Sequence, residues 1–295
     1  MMRVWVAFIA CWCTVLCGQT THDQELAAIR EYAVNYGKGL PDYTCTRVTE
    51  RKESAIALTF TEPERYGTPQ PKGTASTIVT EEELTVSGQR ENYKILKVDG
   101  QSFGREMRLR PDQVIETITA GQFTSVLQRI FSPEEGARVQ WVRLEKLRGR
   151  QVNVFSFEVP RAHGERVYDR GLGRDAVVRY SGRVYADAES NAVLRVETHS
   201  SDFPSGSEFV GIDLVMDYKP AKIGGREYVM PQRFDLQWHR HLPNAMRKTG
   251  RLAEDSSVQA EYKNYRGFSA ESGVKFPESE EIRSTITFGG IAGEK

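Results

Sequence analysis

The chain has 295 residues, enough for one large domain or two small ones, and its lysines and arginines equal its aspartates and glutamates at 40 each. Charges of both signs are spread along the sequence instead of blocked, as on an ordinary soluble surface, and this excludes a polyanion binder. Nucleic acid is therefore not an expected partner.

The N-terminus carries an address. Arg3 supplies a positive charge, Val4 to Leu16 is almost unbroken in apolar residues, Cys17-Gly18 is a small-residue exit, and polar residues follow from Gln19. This pattern predicts a secretory signal peptide over 1–18, too short to cross a bilayer. Leu16 does not fit the small residue that precedes a lipidated cysteine, so simple cleavage after Cys17 or Gly18 is expected instead of a lipid anchor on Cys17. No later segment is apolar enough to span a membrane, so the mature chain is not expected to be an integral membrane protein; the expected location is the periplasm or the medium. Cleavage leaves Cys45 as the single cysteine, which excludes an intrachain disulfide and a CxxC site. A small buried residue on a strand is its expected role.

The mature part begins with a helix. Leu26, Ile29, Ala33, Tyr36 and Leu40 recur at three- and four-residue steps, Thr21 with Gln24 reads as a capping box, and Gly37 and Gly39 stop it. Strands are expected at Tyr43–Arg51, Thr77–Ser87 and Tyr93–Val98, with a proline- and glycine-rich loop over Glu62–Thr74. A short amphipathic helix follows at Thr124–Phe131. Then come the pairs Val139–Leu147 with Val152–Val159, joined through Arg148-Gly149-Arg150, and Ala176–Ala186 with Ala192–Thr198. Val210–Tyr218 alternates strictly, Pro220–Gly225 turns the chain, Tyr228–His239 returns it, and Val258, Ala260 and Tyr262 mark a last strand.

Many strands joined by short turns, with no helix between them, predict an antiparallel meander. One-sided alternation means one buried face and one wet face. The fold class is therefore mainly β within α+β. Its expected form is a curled antiparallel sheet, an incomplete barrel, covered by the N-terminal helix and one short helix. A single domain is expected over 19–276, followed by a loose tail over 277–295.

Candidate chemistry is sparse. His239 and His241 share a strand face with Asp235, a set that could ligate a divalent metal. Phe234, Leu236 and Trp238 occupy the other face, however, which makes the histidine side the solvent side, so no metal site is assigned. Gly171-Leu172-Gly173-Arg174-Asp175-Ala176 matches a loose dinucleotide pattern but lacks the strand before it and the helix after it. Arg161, His163, Arg166, Arg170 and Arg174 collect on one loop, most simply a solvated one. Glu81-Glu82-Glu83 reads as one end of a strand. No catalytic residue and no cofactor are assigned.

Leu40-Pro41-Asp42-Tyr43-Thr44-Cys45-Thr46, Tyr180 to Asp187, Gly225 to Pro231 and Tyr265 to Ser269 resemble an uncharacterised family of exported bacterial proteins. More distantly, the Gly-x-Val-Tyr-x-Asp strand that turns into Val193-Leu194-Arg195-Val196-Glu197 is similar to periplasmic lipoprotein carriers. That resemblance implies an incomplete barrel around a helix, with acyl chains held in an apolar cavity. The leading expectation is a non-enzymatic exported protein that binds a lipid or lipoprotein acyl chain. Val178, Tyr180, Val184, Ile212, Leu214, Met216, Phe234, Leu236 and Trp238, all on the apolar parity, would line the cavity. An envelope protein-interaction module is the alternative, and a hydrolase without a recognisable motif the third.

Overall fold

The computed structural model describes residues 13–59, 70–88, 90–102, 122–169, 172–241 and 251–268. In chain order the elements are α1 (Cys13–Gly39), β1 (Tyr43–Thr59), β2 (Gln70–Ser87), β3 (Arg90–Val98), β4 (Gln101–Ser102), α2 (Gln122–Phe131), β5 (Arg138–Leu147), β6 (Arg150–Val159), β7 (Glu165–Asp169), β8 (Arg174–Asp187), β9 (Val193–Ser201), β10 (Phe209–Ile223), β11 (Arg226–His241) and β12 (Arg251–Gly267). The strands form one twelve-stranded sheet in the order β4-β3-β2-β1-β12-β11-β10-β9-β8-β6-β5, with β7 paired to β8. Every pairing is antiparallel. Two meanders, β1–β4 and β5–β12, are thus stitched together by the long-range pair β1–β12. β4 and β5 end the sheet, and no pairing among the described residues joins them, so the barrel is incomplete.

Turn chemistry sets the register. Arg148 and Gly149 both take positive φ, 51° and 85°, the conformation that a two-residue hairpin between right-twisted strands requires. Asp187 holds the β8–β9 turn: its Oδ1 accepts from the Ser190 amide at 3.0 Å and the Ser190 hydroxyl at 2.9 Å, and its Oδ2 accepts from Arg150 Nε at 2.7 Å. Burial works against the Asp187 charge, but these donors outweigh it and hold the carboxyl below its ordinary range.

Several elements differ from the expectation. α1 is already helical at Cys13, so Thr21 and Gln24 lie inside a continuous helix and form no cap; Gly18 alone is too weak a breaker, at about 1 kcal/mol, to end it. Gly37 also lies inside, and Gly39 is the last helical residue. The expected loop over Glu62–Thr74 is strand from Gln70 onward, where Pro71 sits opposite Leu58; residues 60–69 lie outside the described set. β10 continues through Pro220 to Ile223, and the turn is confined to Gly224-Gly225, whose φ values are 58° and 82°. The arginine-bearing loop contains β7, which pairs back on β8. The expected tail over 277–295 lies outside the described residues.

The side-chain parity of the sheet decides where the core sits. Phe155, Phe157, Val178, Val184, Val196, Met216, Phe234, Trp238, Val258 and Ala260 face one side and are buried with Ile29, Ala33 and Tyr36 of α1 and Val126, Leu127, Ile130 and Phe131 of α2. A smaller cluster of Val152, Val154, Tyr185 and Leu194 lies on the opposite, convex face. Gly182 marks the tightest point: a Cβ there would stand 1.8 Å from the Glu197 carbonyl oxygen and 2.9 Å from the Phe157 ring. β8 can therefore press against β9 only without a side chain at this position.

Candidate functional site: the concave face of the sheet

Register places all nine of the expected lining residues on the concave side. Val178, Val184, Phe234 and Trp238 are wholly buried, Tyr180, Ile212, Met216 and Leu236 are nearly so, and Leu214 is half-buried. Adjacent strands bring them into rows: Leu214 lies opposite Leu236, Met216 opposite Phe234 and Ile212 opposite Trp238. Tyr180 and Trp238 differ from the other seven in carrying a polar group, a phenol and an indole N–H. The Tyr180 ring meets Phe157 edge-on at 6.1 Å, and the Arg129 guanidinium stands 5.9 Å from its centroid. Arg129 in turn donates to Glu165 at 3.3 Å. Burial pushes the Tyr180 phenol up to about 12.

The same concave face changes character along β1. Its inward positions begin apolar with Tyr43 and Cys45, the latter opposite Leu84, and turn polar at Arg47, Thr49, Arg51 and Glu53, opposite Glu82, Thr80, Ile78 and Ser76 of β2. Arg47 and Glu82 are both 2% exposed and form an ion pair through the Arg47 Nε–H. Thr80 Oγ1 donates to the second Glu82 oxygen at 3.1 Å, and the Arg47 guanidinium stacks 4.2 Å from the Tyr93 ring centroid. Burial opposes the Arg47 charge, but Tyr262, Tyr93 and Glu82 outweigh it and raise its pKa above the ordinary guanidinium value. Thr49 Oγ1 and Tyr218 Oη are buried with no hydrogen-bond partner among the described residues, and Arg51 Nε is likewise unpartnered.

Sequence reasoning missed this polar part. Read singly, Arg47, Thr49, Arg51 and Glu82 look like the solvent side of strands, and the Glu81–Glu83 run reads as a strand end. Glu82 in fact sits mid-strand, facing inward. The pairing that neutralises it lies 35 positions away in sequence, so only the β1–β2 register reveals it.

α1 covers the concave side through tyrosines. Tyr36 donates to the Val229 carbonyl at 2.7 Å and meets Tyr218 edge-on at 6.1 Å, while Tyr265 donates to the Pro231 carbonyl. Cys45 is buried on this face, and burial lifts its thiol to about 12, so it is protonated and unreactive near neutral pH.

The convex face carries ionic pairs. Asp217 receives both Arg195, at 2.6 and 3.0 Å, and Arg148 at 2.5 Å. A groove of about 680 Å³ crosses β5 to β10 on this side, with Arg138, Arg183, Glu197, His199 and Asp213 among its walls. His239 lies here too, its Nδ1 2.7 Å from Asp255, while Asp235 is held by Arg233 at 2.6 and 3.1 Å. His239 and Asp235 are thus engaged with separate partners instead of converging, the His241 side chain lies outside the described set, and no group of three potential metal ligands occurs among the described residues. The Gly171–Ala176 stretch leads from β7 into β8, a strand instead of the helix that a dinucleotide site needs. Arg161, in the turn between β6 and β7, is paired with Asp202 at 2.9 Å. No described helix is long and apolar enough to cross a membrane.

No family model matches the chain, and no curated protein matches it in sequence. Three solved structures align over most of both chains. A DUF1329 family protein from Desulfovibrio piger is 10% identical, covering 84% of this chain and 95% of that one, at a TM-score of 0.34. A putative outer membrane lipoprotein-sorting protein domain from Vibrio parahaemolyticus is 12% identical, covering 86% and 95%, also at 0.34. The lipoprotein LppX of Mycobacterium tuberculosis is 10% identical, covering 82% and 95%, at 0.26. At these scores the incomplete barrel is read from the strand order and register of the chain itself.

Proposed function

We propose that this protein is a non-enzymatic, exported binding protein that holds the acyl chain of a lipid or lipoprotein between the concave sheet face and its helices. The supporting observation is a mismatch of size. β10, β11 and β12 have 15, 16 and 17 residues, roughly 50 Å each at about 3.3 Å per residue. The ten residues of α2 span only about 15 Å. The strands therefore run well past the ends of α2, and cover over the rest of the sheet falls to α1, whose 27 residues span about 40 Å. Among the described residues the backbones that approach α1 most closely are those of α2 and β5, and side chains such as Tyr36, which reaches the Val229 carbonyl, join the helix pair to the middle of the sheet. Such a pair can lift as a unit and admit a chain along Val178, Tyr180, Val184, Ile212, Leu214, Met216, Phe234, Leu236 and Trp238.

Each buried methylene contributes about 0.8 kcal/mol, so a fourteen-carbon chain gains roughly 10 kcal/mol before the costs of ordering it. Export follows from the leader over 1–18. The protein-docking alternative has one observation in its favour: β5 ends the sheet with Val142 and Leu144 at 40% and 53% exposure.

Uptake of a fluorescent fourteen-carbon fatty acid separates these readings. The full mature chain is expected to bind it at micromolar concentration or below. Leu214→Arg, at a half-buried position that tolerates the longer side chain, is expected to weaken uptake more than tenfold by placing a charge on the chain path. The edge-strand double variant Val142→Asp/Leu144→Asp is expected to bind as the wild type does. No uptake by the wild type, or a loss confined to the edge variant, contradicts the proposal.

A further inference from the structure

The concave face is apolar on β8 to β11 and polar on part of β1 and β2, and we infer that two hydroxyls, Thr49 of β1 on the polar part and Tyr218 of β10 at the end of the apolar rows, receive an uncharged head group rich in ester or hydroxyl oxygens. This rests on the acyl-chain reading and names the class of amphiphile that the same face takes.

Three observations point to it. First, Thr49 Oγ1 and Tyr218 Oη have no hydrogen-bond partner among the described residues, in side chains only 1% exposed, so each carries an uncompensated desolvation penalty. A ligand that supplies oxygen acceptors removes that penalty. Second, the charges on the polar part are already matched. Arg47 is paired with Glu82 and Arg51 with Glu53, and Glu91 adds a further acid beside Tyr93. A carboxylate or phosphate would find no unneutralised cation on β1 and would meet Glu82 and Glu91. Third, the two residues stand three strand steps apart, β10 to β11 to β12 to β1, a backbone spacing of roughly 14 Å at about 4.8 Å per step. Oxygens strung along a glycerol ester or a polyol suit two groups on strands so spaced.

The apolar rows begin next to both groups. Thr49 lies opposite Ala260, which lies opposite Phe234, and Tyr218 follows Met216 on the same face. A chain on the apolar rows therefore leads its head directly to the orphaned hydroxyls, and the head is buried with the chain instead of being left in water.

The test compares 1-monomyristoylglycerol with myristate, which share one chain length, by calorimetric titration of the full mature protein. Thr49→Val and Tyr218→Phe accompany the wild type. The wild type is expected to prefer the monoglyceride at least tenfold. Each variant is expected to weaken monoglyceride binding roughly fivefold while leaving myristate binding unchanged. The ligand-free melting temperature of both variants is expected to hold or rise, because each removes an unpaired buried hydroxyl. A purely structural role for these groups would lower the melting temperature and leave the monoglyceride preference intact. Equal affinity for the two lipids, or a preference for myristate, overturns the head-group assignment and leaves the acyl-chain reading standing. Binding of neither lipid overturns both.

Discussion

Glu82→Ala is expected to destabilise the fold by about 3–5 kcal/mol, the range for removing one partner of a buried ion pair. The magnitude follows from what remains: Arg47 at 2% exposure, stacked on Tyr93, with its carboxylate gone. The pair also loses the Thr80 hydroxyl bond to Glu82, which adds an orphan. Urea unfolding of the mature chain, followed by far-ultraviolet dichroism, reads the change as a lower midpoint at unchanged slope. The double replacement Arg47→Met/Glu82→Leu is expected to recover most of the loss, because well-packed apolar residues avoid both desolvation penalties. A single-variant loss below about 1 kcal/mol, the size typical of exposed pairs, would place this pair at the surface and remove the polar part from the concave face.

The second large effect is expected at Gly182. Gly182→Ala puts a methyl where the Glu197 carbonyl oxygen already stands at 1.8 Å, and neither partner is a flexible side-chain end. β8 and β9 must separate to admit it, opening the Val184–Val196 row beside it. A loss of about 3 kcal/mol or more is expected, at the upper end of overpacking effects. Thermal unfolding measures it, with Ser181→Ala as the neighbour whose side chain points to the convex face; that variant is expected to stay within about 0.5 kcal/mol of wild type. If Gly182→Ala folds with wild-type stability, β8 and β9 do not approach as closely as described.

The curled sheet was legible because its signals are local. Arg148-Gly149 announces a hairpin wherever it stands between alternating strands, and the parity of Phe234, Leu236 and Trp238 fixes which face is buried without knowledge of neighbours. Helix ends were read less well. Thr21 and Gln24 satisfy a capping pattern, but the helix begins at Cys13, so no helix end falls at Thr21. β7 is five residues long, and its two strand formers, Val167 and Tyr168, stand between charged residues, too short a run to mark a strand alone; it pairs with β8. The polar part of the concave face is a third case. The burial of Arg47 is a property of the β1–β2 register and not of the residues around it in sequence. Of the site, therefore, the apolar parity of the nine proposed lining residues was visible from sequence, and the buried hydroxyls and ion pair beside them were not.

Native mass spectrometry of the mature protein, Gln19 to Lys295, purified from a bacterial periplasm without delipidation, shows whether a lipid occupies the concave face. An adduct of lipid mass is expected, one that organic extraction removes and that returns on incubation with a fourteen-carbon amphiphile. A single apo mass that takes up neither fatty acid nor monoglyceride would contradict the acyl-chain reading and leave the concave face as a filled core.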